Sequence, residues 1–268
     1  MATASTRAGQ PLSGRCVVVT RPRAQVASLA GRLEELGAEV VAVPTIRLEP
    51  PEDWRPLDEA IAQLADFDWV LFTSVNGVEA FAARLAATGL DARALSHARL
   101  GAIGPGTAEA LAWTGRRPDV VPREYRAEAL LDALLPQVGP GTRVLLVRAA
   151  VARDVLPHGL AARGVTVRVV PAYRTRAAVE GGAALVGLLE TRRVDAITFT
   201  SSSTVRGLVA LLPDQRRAEL LRGVTLAAIG PVTAATLAEH GLTATIVAAE
   251  YTIPALASAL ADHFTGRA

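Results

Sequence analysis

The chain repeats itself. VVVTRP at 17–22 returns as VLLVRA at 144–149, VPTIR at 43–47 as VPAYR at 170–174, and DWVLFTS at 68–74 as DAITFTS at 195–201, each at an offset of 127 residues. IGPGTAEAL at 103–111 returns as IGPVTAATL at 229–237, and Glu124-Tyr125 as Glu250-Tyr251, at an offset of 126, so one deletion separates the two groups. Dispersed matches in a single order are the signature of a duplicated unit. Whatever one copy folds into, the other must follow, so the 268 residues make two modest domains rather than one large one.

Within each copy, short β-branched runs alternate with helical patterns. In the first copy the runs are VVVT, EVVAVP, WVLFT, RLGAIG and DVVP, and helical patterns start near Ala24, Val75, Pro105 and Ala127. Val26, Leu29, Leu33 and Leu36 keep the helical period, and Gly37 supplies a stop, as Gly115, Gly164 and Gly241 do for later helices. Near-continuously apolar strands suit a parallel sheet covered on both faces. The expected class is α/β: two similar parallel-sheet, flavodoxin-like domains with right-handed crossovers. Proline-bearing stretches at equivalent places, PTIRLEPPED at 44–53 and PAYRTR at 171–176, break the alternation and read as linker strands near 44–50 and 171–176. If both join the same two bodies, domain 1 is discontinuous, 1–45 with 177–268, and domain 2 is 46–176. Tandem halves split near Val138–Thr142 are the other arrangement the sequence permits.

Composition excludes several chemistries. All 28 basic residues are arginine, which fits a GC-rich genome; with no lysine there is no Schiff-base lysine, no lysine-anchored pyridoxal phosphate and no P-loop lysine. The net charge of +2 comes without a basic run, so no nucleic-acid partner is expected. Cys16 is the lone cysteine and reads as a buried thiol opening CVVVT. His97, His158, His240 and His263 show no ligand spacing, so no metal site is expected. TSSST at 200–204 is not a nucleophile elbow, and IGPGTA lacks the dinucleotide-binding spacing. No apolar stretch reaches spanning length and MATASTRAGQPLSG has no apolar signal core. A cytoplasmic chain with no membrane partner is the expectation.

In a parallel sheet, ligands bind beyond the carboxyl ends of the strands. Those ends carry Thr20-Arg21-Pro22, Thr73-Ser74-Val75-Asn76, Gly104-Pro105-Gly106-Thr107, Val147-Arg148, Thr200-Ser201-Ser202-Ser203 and Gly230-Pro231-Val232-Thr233, with almost no acid. Helix N-termini there offer free N–H groups and about half a positive charge each, which suits several anionic groups at once. For any single serine or threonine, ordinary N-capping is the plainer reading. A solvated surface side chain is likewise the plainer reading of Arg21 and Arg148, although their equivalence under the repeat sets them apart. Taken together, these ends predict an anion-binding cleft with little acid–base equipment.

At this point the motifs point to a family. TRP after the first strand, FTSVNGV, FTSSSTV, the two IGP segments, LVRA with Arg153 five residues after Arg148, and VPAYRT at the linker resemble uroporphyrinogen-III synthase, in order from about Arg15 to His263. The resemblance implies a bilobal protein with interleaved domains and a two-stranded linker, needing neither metal nor organic cofactor. It implies hydroxymethylbilane as the small-molecule substrate, cyclised to uroporphyrinogen III with loss of water and inversion of ring D, a carbon–oxygen lyase step of tetrapyrrole biosynthesis. Tyr173 matches the linker tyrosine that would assist departure of the hydroxyl. Substrate contacts are expected from Arg21, Thr73, Ser74, Gly104, Thr107, Arg148, Arg153, Thr200, Ser201, Ser202, Ser203, Gly230, Val232 and Thr233. Two positions depart from the pattern: Ala149 stands where glycine often follows the arginine, and Val232 stands in place of a second threonine, which leaves a backbone contact alone. A monomer is expected, with room for handover of substrate by the preceding pathway enzyme. The reading from a different class is a non-catalytic, two-lobed cytosolic binding protein for a small polyanion; no output module remains for it once the repeats are assigned.

Overall fold

The computed structural model describes residues 9–266. Its elements in chain order are β1 (Cys16–Val19), α1 (Val26–Glu35), β2 (Glu39–Ala42), β3 (Ile46–Glu49), α2 (Arg55–Ala62), β4 (Trp69–Phe72), α3 (Val75–Ala87), β5 (Arg99–Ala102), α4 (Pro105–Ala110), α5 (Ala127–Leu134), β6 (Arg143–Ala149), α6 (Val155–Ala161), β7 (Thr166–Ala177), α7 (Gly182–Glu190), β8 (Ala196–Phe199), α8 (Ser202–Leu211), α9 (Arg217–Leu220), β9 (Thr225–Ala228), α10 (Pro231–Glu239), β10 (Ile246–Val247) and α11 (Ile253–Thr265). Helices start at Val75, Pro105 and Ala127 as their sequences indicate; near Ala24 a short 3-10 turn precedes α1. Among the described residues no helix is long and apolar enough to cross a membrane.

The strands form two five-stranded sheets, β10-β9-β8-β1-β2 and β3-β7-β6-β4-β5. The chain divides into two compact units along the same lines: one holds residues up to Arg47 and from Arg176 onward, the other Leu48–Thr175. The duplication is reproduced pair by pair. Val17 lies opposite Ala196 in the first unit, and their repeat counterparts Val144 and Trp69 lie opposite each other in the second, both in parallel pairs. Likewise Ala196 pairs with Thr225, and Trp69 with Arg99. The segment DVVP does not become a strand: only Val120 bridges to Gly101. Pro118 and Pro122 flank it and cannot donate to a ladder, so pairing stops there. Its counterpart β10 is only two residues long.

Successive strand residues point to opposite faces, and each face has its own core. In the second unit, Val70, Phe72, Leu100, Leu145 and Val147 pack with Leu57, Ile61, Val78 and Phe81 of α2 and α3. Trp69, Leu71, Val144 and Leu146 pack with Leu130, Leu134, Leu156 and Leu160 of α5 and α6. The first unit repeats this, with Val18, Ile197 and Phe199 on one face and Val17, Val19 and Ala196 on the other. Each such buried leucine, valine or phenylalanine contributes about 1.5–3 kcal/mol. At the amino ends, equivalent aspartates staple neighbouring strands. Asp68 Oδ2 accepts from Arg143 N, and Asp195 Oδ2 accepts from Cys16 N, each at 2.8 Å.

The proline-bearing segments become β3 and the end of β7, adjacent in the second sheet. At the first unit both are held by one buried residue, Thr45. Thr45 N donates to Thr20 O at 3.1 Å, Ala178 N donates to Thr45 O at 3.0 Å, and Thr45 Oγ1 bonds Thr204 O of α8 at 3.0 Å. The helix comes this close because residue 207 is glycine: a Cβ there would stand 2.4 Å from Thr45 O and 2.8 Å from Ile46 Cγ2. A backbone carbonyl cannot step aside as a side chain does. Gly207→Ala is therefore expected to cost at least about 1–3 kcal/mol, as for overpacking, read as a lowered denaturation midpoint. Ala80, its repeat counterpart, marks the same place in the second unit without this demand.

Candidate functional site

In each unit the chain winds outward from one central strand and then returns to its other side. The reversal falls between β4 and β6 in the second unit and between β8 and β1 in the first. Crevices at such reversals, at the carboxyl ends, are where sheets of this class take ligands.

In the second unit, Thr73 and Ser74 follow β4. Ser74 is the N-cap of α3, its Oγ accepting from Gly77 N at 3.0 Å. The same Oγ receives the hydroxyl of Tyr173 at 3.0 Å, although 99 residues separate the two. A bulge sets this up. Along β6 and β7 the register runs Arg148 with Pro171 and then Ala149 with Tyr173, skipping Ala172. Bulges re-aim side chains, and this one turns a partly buried tyrosine toward the end of β4. Ser74 thus accepts two hydrogen bonds and keeps its own proton to donate.

The first unit solves the same corner differently. Ser201, equivalent to Ser74, caps α8 by accepting from Thr204 N at 3.3 Å, and Thr204 completes a capping box. Thr204 stands where the other copy has Gly77, and Ile46 where it has Tyr173. The capping interpretation therefore holds for both serines. Ser202 Oγ bonds Thr236 Oγ1 at 2.7 Å, tying α8 to α10. The side chains of Thr200 and Ser203 make no hydrogen bond among the described residues and are partly exposed. Arg21, following β1, bonds Gln25 Oε1 and Ser28 Oγ, both at 3.3 Å. Burial pushes its pKa down.

The IGP segments start α4 and α10 with Gly104 and Gly230 as N-caps and no side-chain cap. Thr107 and Thr233 are only 5% and 4% exposed, so a ligand meets these turns first through backbone N–H groups. Val232 lies on the surface of the first turn of α10. Arg148 and Arg153 are engaged within the second unit: Arg148 Nη2 pairs with Asp154 Oδ1 at 2.7 Å and Nη1 donates to Arg153 O at 3.1 Å, while Arg153 pairs with Glu128 at the start of α5. Among the described residues no group of three or more His, Cys, Asp or Glu side chains could hold a metal ion.

Residues 27–258 match the family model described as Uroporphyrinogen-III synthase HemD. The chain belongs to the uroporphyrinogen-III synthase family. It is similar to the uroporphyrinogen-III synthase of Synechococcus elongatus, with 36% identity over 94% of this chain and 97% of that protein. It is 32% identical to the porphyrin biosynthesis protein HemD of Ruminiclostridium josui over 87% of this chain and 45% of that one. Among solved structures, a substituted uroporphyrinogen III synthase of Thermus thermophilus superposes with a TM-score of 0.67 at 25% identity, covering 95% of this chain and 100% of that one. The enzyme of Helicobacter pylori shares the fold, with a TM-score of 0.59 at 17% identity over 91% of this chain and 97% of that one.

The residues read from sequence thus fall into two clusters, one per unit. Ser74 and Tyr173 are in direct contact, Arg21 and Thr200 follow adjacent strands, and Arg153 is held away at α5. Two residues bordering the IGP turns were not singled out by sequence reasoning. Tyr125 and Tyr251 lie on Gly104 and Gly230; a Cβ on either glycine would stand about 3 Å from the ring, 3.0 Å from Tyr125 Cγ and 2.9 Å from Tyr251 Cδ1. Their signal was the repeated Glu-Tyr pair, whose reason only the packing supplies. Gly230→Ala is expected to destabilise by about 1–3 kcal/mol, and much less in a Tyr251→Ala background, so that a double-mutant cycle shows coupling.

Glu128 gives a pH test. The hydrogen bond from Arg153 holds its carboxyl below the usual glutamate range. A folded-state pKa below the unfolded one stabilises above about pH 4.3 and is lost as pH falls through the lowered value. Glu128→Gln should therefore cost stability at pH 7, about 0–1 kcal/mol given its exposure, and the difference from wild type should vanish in acid.

Proposed function

We propose that the chain closes hydroxymethylbilane to uroporphyrinogen III with loss of water and inversion of ring D, acting as a cytoplasmic monomeric carbon–oxygen lyase. The observation that carries the chemistry, in a chain of this family, is the hydrogen bond of Tyr173 to Ser74 at the chain reversal of the second sheet. In this reading the two compact units are the two domains and β3 and β7 the linker strands.

The electron-rich pyrrole expels its own hydroxyl: the C–O bond breaks, the ring nitrogen supplies the electron pair, and the oxygen leaves as water once protonated. Tyr173 provides that proton, directly or by way of the Ser74 hydroxyl. The last ring then attacks through its substituted carbon; the spiro centre opens by breaking the bond to the neighbouring bridge carbon, the ring's free α-carbon bonds that bridge with the ring inverted, and the proton this carbon loses restores the Tyr173 hydroxyl. In the second unit, the donors at Thr73 and the turn at Gly104 hold acetate and propionate groups so that the reacting end of the open chain stays folded. Positioning of this kind supplies roughly 7–11 kcal/mol in favourable intramolecular cases, whereas one general acid adds about 10²–10⁴-fold. Positioning dominates, consistent with a site that has hydroxyls and N–H groups but no carboxylate–histidine pair.

The experiment supplies fresh hydroxymethylbilane and resolves the I and III isomers of the oxidised product. The proposal expects isomer III ahead of the spontaneous isomer I; isomer I alone, with tight binding, would favour the polyanion-binding reading. Tyr173→Phe keeps the ring and removes the donor. It should lower kcat by about 10²-fold, the low end for a general acid because the substrate drives most of the step, and cost about 0.5–1.5 kcal/mol of stability for one hydrogen bond. Wild-type kcat in this variant would leave Tyr173 as packing.

A further inference from the structure

The duplication places an arginine at the carboxyl end of β1 and of β6, yet the two have opposite surroundings. Arg148 is neutralised: Asp154 lies 2.7 Å from its Nη2, and its Nη1 holds the Arg153 carbonyl, so it closes the loop after β6. Arg21 forms no ion pair among the described residues. Its terminal nitrogens meet only an amide oxygen and a hydroxyl, both at the long distance of 3.3 Å, and its Nε is buried with no hydrogen-bond partner. A guanidinium carries its charge under any ordinary condition, so this is a half-buried cation with no counter-ion among the described residues. Such a group costs stability unless something outside the chain supplies the charge.

Its position says where that partner would come from. Val19 pairs with Thr198, so Arg21 and Thr200, each two residues further on, follow adjacent strands at the carboxyl edge of the first unit's sheet. The side chains of Thr200 and Ser203 there also make no hydrogen bond among the described residues, and the N-terminus of α8 adds its partial positive charge. Arg21 keeps a fork of N–H donors, and a carboxylate fits such a fork with two parallel bonds.

We propose that Arg21 is a carboxylate anchor at the carboxyl edge of the first unit's sheet, one of the substrate's acetate or propionate groups being its missing counter-ion, and that its counterpart Arg148 is a structural clamp for the 149–154 loop. This rests on the function proposed above for the identity of the ligand, but the asymmetry between the arginines does not.

The test compares Arg21→Gln, Arg21→Lys and Arg148→Gln in the full chain. Binding is read with uroporphyrin III, a stable octacarboxylate, and KM with hydroxymethylbilane. Arg21→Gln should weaken both by roughly 10- to 100-fold, the equivalent of a lost charged hydrogen bond. It should also flatten their salt dependence, with kcat much less affected. Arg21→Lys should restore the salt dependence with part of the affinity. Without ligand, Arg21→Gln should melt at or above the wild-type temperature because an uncompensated charge is gone, whereas Arg148→Gln should melt lower. Wild-type affinity in Arg21→Gln, or a melting temperature several degrees below wild type, would overturn the assignment. If the wild type binds uroporphyrin III but forms no isomer III, the proposed reaction fails while the binding comparison still decides the role of Arg21.

Discussion

The first unit hangs on a buried threonine. Thr45 has no exposure, yet the chain leaves the unit through it and, on coming back, hydrogen-bonds to it at Ala178. Buried polar groups must be satisfied within the fold, and here each is satisfied by a different element: the end of β1 through Thr20, the returning chain through Ala178, and α8 through Thr204. That arrangement fixes where β3 begins and where β7 ends. It also forces the helix against the chain so closely that residue 207 has no room for a side chain. Gly207, inside α8, is thus a condition for this close approach.

The duplication supplies the frame, and chemistry lies where the copies diverge. Both copies keep the parallel register, the aspartate staple at the amino end and the serine cap at the carboxyl end. At the cap they part. Thr204 closes a capping box in one copy; in the other, Gly77 has no side chain to close one, and Tyr173 donates to the capping serine. After the preceding strand, Arg148 has Asp154, while Arg21 has only neutral partners. A duplicated scaffold can lose symmetry at such corners at little cost, because each copy's strands and helices are secured by cores on both faces of its sheet.

What the sequence determined by itself is what depends on neighbours along the chain. Alternating apolar runs and helical periods identified parallel sheets covered on both faces, because those patterns come from which side of a strand or helix is buried. The repeat showed that the fold occurs in two copies, and hydroxyls, glycines and prolines before helical patterns marked Ser74, Ser201, Gly104 and Gly230 as helix starts, since capping is satisfied within three residues. Whether a cap also touches a ligand was not legible, for the same residue type serves both. The tertiary structure alone decided that Tyr173 meets Ser74, 99 residues away, through a one-residue shift in the pairing of β6 and β7. It alone placed tyrosine rings on the IGP glycines and separated a neutralised Arg148 from an uncompensated Arg21. Those contacts depend on how crossovers bring distant segments to one sheet edge, and a pattern of residues along the chain does not carry the geometry of that edge.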